Sequence, residues 1–178
     1  MPNHCSNTVT VTGPRLLVNR FLEKAAGDKE PLEFNNLFPC PQELRDAQAT
    51  FGDDSPEAKA RVKKYGYANW YDWCVDNWST KWGAYDMEDQ WHQYRGSKNG
   101  RVHQIASLNY TTAWASATNF WRTVSKSFPK LTFTHTYSEP GVAFCGWETF
   151  QKGELTAGLN PDWDSEGGLE IRELFGDN

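Results

Sequence analysis

Near the start of the chain, CSNTVTVTG sets Val9 and Val11 between Thr8, Thr10 and Thr12, the period-two pattern of a half-buried strand. Pro14 then stands where a helix can begin. In PRLLVNRFLEKAAGD the apolar residues Leu17, Val18, Phe21, Leu22 and Ala25 recur at intervals of three and four, and Gly27 supplies a stop. The apolar run LEFNNLF, residues 32–38, predicts a second strand, closed by the prolines of PCP. The opening therefore reads as a β-α-β unit.

The pattern returns in RVHQIASLNYTTAW, a strand, followed by SATNFWRTVSKSF, a helix with Ser116 as its expected N-cap and Pro129 beyond its end. LTFTHTYS follows as a strand with Leu131, Phe133, His135 and Tyr137 on one face. Pro140 and Gly141 suit the centre of a type II turn, so VAFCGWETFQKG should return as an antiparallel partner. Two β-α-β units and a hairpin strand make a split β-α-β, ferredoxin-like α+β domain: an antiparallel sheet covered by two helices. One domain is expected over residues 1–178, with a helical insertion over about 39–99 and an acidic tail over about 153–178.

The insertion carries the densest aromatic stretch of the chain. YGYANWYDWCVDNWSTKWGAYD, residues 65–86, holds eight rings in twenty-two positions. Trp70, Trp73, Cys74 and Trp78 fall at helical spacing on one stripe, which predicts that they pack inward. The sequel STKWGAYD is not explained by that stripe. Lys81 beside Trp82, with Asn77 one turn back, can hold an anionic or planar group, although the same residues can also cap and pack a helix end.

Charge adds a second candidate. The net charge is −5, yet residues 1–150 hold 16 basic and 16 acidic side chains, whereas 151–178 hold 2 and 7, so the whole excess lies at the end. Asp162, Asp164 and Glu166, with Glu170, Glu173 and Asp177, could face a basic partner from a segment expected to be dispensable for folding. Basic residues cluster at Lys59, Arg61, Lys63 and Lys64 and again at Arg95, Lys98 and Arg101, but the balance excludes a general nucleic-acid binder. With no long apolar run and no basic and apolar leader at the start, a cytoplasmic protein without a membrane partner is expected.

Cys5, Cys40, Cys74 and Cys145 stand far apart, and His4, His92, His103 and His135 show no ligand spacing, so no metal or other cofactor is expected. Neither a GxGxxG nor a Walker A loop occurs. An enzyme would have to draw on His4, His103, His135, Glu139 and Glu148 for acid-base work, without a nucleophile motif beside them. His135 shares the phase of buried residues, and Glu139 sits at a turn where a solvated carboxylate is ordinary.

MPNHCSN, WYDWCVDNWSTKWGAYD, the TAW at 112–114, FPKLTFTHTYSEPG and FCGW together resemble the YubB-like ferredoxin-domain family of plasmid and phage proteins, over nearly the whole chain. The resemblance implies the ferredoxin-like topology and a gene carried on a mobile element; it carries no catalytic residue, and an iron-sulfur cluster is not expected. The expected function is a non-enzymatic binding protein of that element which engages a host protein, with inhibition of a host defence system as the specific form. A small enzyme, or a nucleotide or nucleic-acid binder, is the alternative.

Overall fold

The computed structural model describes residues 2–50, 52–98 and 101–177, with side chains described outside residues 97–102. β1 (His4–Gly13) leads into α1 (Arg15–Ala25), and four further helices follow: α2 (Phe34–Leu37), α3 (Gln42–Arg45), α4 (Pro56–Tyr65) and α5 (Trp70–Trp78). β2 (His92–Lys98), β3 (Arg101–Ala113), α6 (Thr118–Ser127), β4 (Thr132–Glu139), β5 (Phe144–Gln151), β6 (Glu154–Leu159) and α7 (Glu166–Glu173) complete the chain. The six strands form one sheet in the order β2-β3-β1-β4-β5-β6, and every neighbouring pair is antiparallel. Its first four strands, with α1 after β1 and α6 after β3, are the split β-α-β arrangement; β5 and β6 extend it beyond β4.

Alternation along the strands sorts the two faces. Val9, Val11, Ala106, Leu108, Phe133 and Phe150 are fully buried against Val18 and Phe21 of α1 and Phe120, Trp121 and Val124 of α6. On the other face Thr8, Thr10 and Thr12 lie opposite Thr136, Thr134 and Thr132. Of the stripe expected in the aromatic stretch, Trp73, Cys74 and Trp78 are buried, with the Trp78 indole donating to the Phe38 carbonyl at 3.0 Å, whereas Trp70 is only partly buried.

Five expectations are corrected. Residues 32–38 are not a strand but lead into α2, because the Glu33 carboxylate accepts from Asn35 N and caps a helical turn, and Phe34 then stacks on Phe120 at 3.7 Å between centroids. The second strand of the split unit is His92–Lys98, inside the stretch read as insertion; the helical segment that interrupts the sheet runs from Ala26 to Trp91. Helix α6 begins after Ala117 without a side-chain cap, while the Ser116 hydroxyl bonds to that of Thr118. In the β4–β5 turn it is Ala143, not Gly141, that takes a positive φ. There the Glu139 carboxylate, 1% exposed and far from solvated, accepts from Gly141 N and Val142 N at 2.8 Å each.

The acidic end is also structured. β6 pairs with β5, and α7 packs on the sheet beside β4 and β5. Ile171 is buried, the Ser138 hydroxyl donates to Asp177 at 2.6 Å, and the Cys145 thiol donates to the Gly168 carbonyl. Removing residues 161–178 should therefore lower the melting temperature instead of leaving the fold intact, since losing the buried Ile171 side chain alone forfeits about 1.5–3 kcal/mol. An unchanged thermal melt would show that α7 contributes nothing to the domain.

Candidate aromatic cleft

Helix α5 owes its start to Asn69, whose side chain accepts from Tyr71 N and Asp72 N, so that Trp70 and Tyr71 emerge in fixed directions from the first turn. The helix ends at Ser79, in the left-handed region at φ 65°, and the Ser79 hydroxyl accepts from Asn119 N at the start of α6. The next residue, Thr80, is buried and donates to the Ala113 carbonyl at 2.9 Å. That bond joins the segment carrying Lys81 and Trp82 to the end of β3. Trp114 follows Ala113 immediately, with its own N–H donating to the Asn3 carbonyl at 2.9 Å.

Lys81 Nζ consequently lies 4.6 Å from the ring centroids of both Trp82 and Trp114. Two indoles hold one ammonium between them, each contact supplying about 0.5–1 kcal/mol at a partly exposed site. Further rings continue on both sides. Tyr71 meets Trp114 edge to face at 6.1 Å, Tyr85 meets Trp82 at 6.3 Å, and the Tyr85 hydroxyl bonds to His4 Nδ1 at 2.9 Å. Burial pushes the Tyr85 phenol above its ordinary value. A cleft of about 760 Å³ opens beside part of this row, lined by Trp70, Tyr71, Lys81, Trp82 and Trp114 with Asp53 and Asp72 at its rim; Tyr85 and His4 stand behind Trp82 and do not line it.

Trp114 is 41% exposed and holds φ +72°, a conformation that a bulky residue rarely adopts. An exposed indole in a strained backbone gains little for folding, and strain of about 1–3 kcal/mol persists where the surroundings or a function impose it.

Hydrogen bonding gives the cleft a sign. The indoles of Trp78, Trp91 and Trp121 donate to protein acceptors, namely the Phe38 and Pro31 carbonyls and the Tyr110 hydroxyl. Among the described residues no acceptor meets the N–H of Trp70, Trp82 or Trp114, the Tyr71 hydroxyl or Lys81 Nζ, and no carboxylate lies within 4.0 Å of Nζ. The rim acceptors are partly engaged: Asp53 takes the Ser55 N–H at 3.0 Å and faces Arg61 at 3.6 Å, and one oxygen of Asp72 takes the Asn69 amide at 3.3 Å. The Ser55 hydrogen bonds hold the Asp53 carboxyl below the ordinary carboxylate range.

Of the residues singled out from sequence, Lys81 and Trp82 meet in this cleft. Asn77 does not line it; its amide donates to the Trp73 carbonyl one turn back at 2.9 Å. Asp162, Asp164 and Glu166 surround the start of α7, where the Ser165 hydroxyl caps the helix and Glu166 occupies the first turn, a position that favours a carboxylate for the helix itself. On α4, Lys59, Arg61 and Lys64 are engaged with Asp54, Asp53 and Glu43, which offsets three of the four charges of that basic cluster. Of the other cluster, Arg95 is exposed on β2, and the side chains of Lys98 and Arg101 lie outside the described residues. Trp114, Tyr71 and Tyr85 were not singled out as binding residues, and His4 only for acid-base work, although a tryptophan just after a strand, in TAW, was the available signal.

The residues considered for acid-base work do not converge on a cavity. His135 and Glu148 are opposite one another in β4 and β5, but His135 is fully buried and Glu148 accepts from Thr118 at 2.8 Å. Glu139 caps its turn and His4 is paired with Tyr85. Among the described residues no group of three or more His, Cys, Asp or Glu is placed to hold a metal ion, and no helix is long and apolar enough to cross a membrane.

Sheet order and helix placement define a ferredoxin-like α+β domain, and the comparisons agree. Residues 90–176 match the family described as a ferredoxin-like domain in Api92-like protein, a span that begins just before β2 and runs past α7. The crystal structure of a protein api92 from Yersinia pseudotuberculosis is similar over 90% of this chain and 98% of that one, with a TM-score of 0.50 and 10% sequence identity. At that identity the likeness establishes the fold and nothing finer. The likeness is thus to Api92-like ferredoxin domains, which agrees with the ferredoxin-like part of the resemblance read from the sequence. No curated protein matches the chain. The matched span includes Trp114 and excludes Lys81 and Trp82, which belong to the helical segment between α1 and β2.

Proposed function

We propose that the protein is a non-catalytic binding module that engages another protein through the cleft between Trp82 and Trp114. The observation that carries this reading is the Lys81 ammonium, oriented by two indoles at 4.6 Å and left without an acceptor among the described residues. A side chain positioned at this expense, next to a strained and exposed tryptophan, is arranged for something outside the chain. The partner we propose is a host protein met by the product of a mobile genetic element, and inhibition of a host defence system is the specific form. The resemblance to plasmid and phage proteins motivates both.

The test is affinity capture from a lysate of the host bacterium, with and without nuclease, using the wild type and Lys81→Glu. Capture should survive nuclease and be lost in the variant, while the melting temperature stays within a few degrees, because a surface lysine contributes little to folding. Loss that appears only on nuclease treatment would instead identify a nucleic acid as the partner. Capture that falls only in proportion to stability would reduce Lys81 to a packing role.

A further inference from the structure

We infer that the cleft recognises a proline-rich extended segment carrying one acidic side chain. This rests on the cleft being the working surface proposed above, and it names what that surface reads.

Three features of the cleft select the ligand. Its lining carries four aromatic side chains, Trp70, Tyr71, Trp82 and Trp114, of the kind that pyrrolidine rings pack against in polyproline II recognition. Most of its side-chain groups without a partner among the described residues are donors: three indole N–H groups, a phenol and an ammonium, while Asp53 already accepts from Ser55 and one oxygen of Asp72 from Asn69. A polyproline II backbone is the complementary surface, since its carbonyls are unpaired acceptors and its prolines bring no N–H that would need an acceptor in return. Indole N–H groups beside a proline-packing face can donate to those carbonyls. The single ammonium, Lys81, then takes one carboxylate along the segment.

Other ligands fit less well for stated reasons. A nucleic-acid strand would bring a phosphate per nucleotide to a cleft with one cation, rimmed by Asp53 and Asp72, on a chain of net charge −5. A sugar brings hydroxyls that donate as often as they accept, and with Asp53 and one oxygen of Asp72 already engaged few acceptors are left for them.

The experiment uses the full chain and an acetylated, amidated nonapeptide of prolines around a central glutamate, titrated by tryptophan fluorescence and by NMR. Saturable binding is expected. It should weaken by about tenfold or more in Lys81→Glu, and likewise when the peptide's glutamate is replaced by lysine; pairing Lys81→Glu with the lysine peptide should recover most of the loss. Trp114→Gly, which suits the positive φ and keeps the fold, should abolish binding. Absence of saturable binding to the wild type, equal binding by Trp114→Gly, or preferential binding of oligothymidylate or cellohexaose at the same site would each overturn the inference. If host-protein capture depends on Lys81 while the peptide does not bind, the inference fails and the proposed binding function stands.

Discussion

Acidification from pH 7 to pH 4 should cost the protein on the order of 3 kcal/mol through His135 alone. The imidazole is fully buried, and desolvation depresses its pKa from 6.5 to about 3. Its tautomer follows from its neighbours. The Asn7 amide donates to the Cys5 carbonyl at 2.7 Å and the Thr112 hydroxyl at 2.8 Å, so its oxygen is left facing His135 Nε2 at 2.9 Å. Nε2 therefore carries the proton, and Nδ1 is bare and unpartnered. A second proton would bury a charge beside the rings of Tyr110, Trp121 and Tyr137 with no acceptor for the new N–H.

The direction of the pH dependence is determined by that depression. Below 6.5 the unfolded chain takes up a proton that the folded chain refuses until about pH 3. The contribution is complete above 6.5 and is lost progressively as pH falls, at up to about 1.4 kcal/mol per unit. Urea denaturation at pH 7, 6, 5 and 4 measures it. His135→Gln, which keeps a donor toward Asn7 but cannot titrate, should flatten the slope above pH 5; wild type and variant with equal slopes would show that His135 protonates freely in the folded state.

Trp121→Ala should lower stability by about 3–5 kcal/mol, the usual cost of truncating a buried large aromatic. Set against a typical domain stability of roughly 5–15 kcal/mol, that is a large share. Trp121 is fully buried between Phe21, Phe120 and Phe133, at centroid distances of 6.4, 4.9 and 5.7 Å. It joins α6 to the sheet twice, through those rings and through its indole N–H, which donates to the Tyr110 hydroxyl at 2.7 Å. The same hydroxyl lies 3.2 Å from His135 Nε2. Removing the indole thus leaves both a void and a depleted polar network. Trp121→Phe separates the two losses: it fills most of the void, and its remaining cost of about 1–3 kcal/mol reads the hydrogen bond. A loss below about 1 kcal/mol for Trp121→Ala would show that the core repacks around the site.

Much of the sheet was legible from local pattern. Alternation in VTVT and in TFTHTY placed β1 and β4, and apolar spacing placed α1 and α6, because a strand or helix with one buried face must repeat its apolar residues at the period of that element. Where burial is not one-sided the pattern failed. HQYRGSK is an edge strand without apolar alternation, so β2 was absorbed into the insertion, and its place is decided by pairing with β3. LEFNNLF has apolar spacing that suits a strand or a helical turn equally, and the cap from Glu33 together with the stack of Phe34 on Phe120 decided for the helix. Likewise, the acidic residues before and within α7 marked a charged end, while the packing of Ile171 made that end part of the domain.

The candidate site divides along the same line. Lys81 and Trp82 stood out because they are adjacent in the chain and unexplained by the helical stripe, which needs only local information. Trp114 joins them through the Thr80 hydroxyl on the Ala113 carbonyl, across 33 positions, and Tyr85 is paired with Thr111 across 26. Asn77 left the group for an equally physical reason, since a carbonyl one turn back was within reach of its amide. The sequence by itself determined which segments bury a face and which residues carry unusual chemistry, because both are properties of neighbours along the chain. Only the tertiary structure decided which rings surround the lysine and which donors are left over, because those depend on contacts that exist once β3 and the α5–β2 segment are brought side by side.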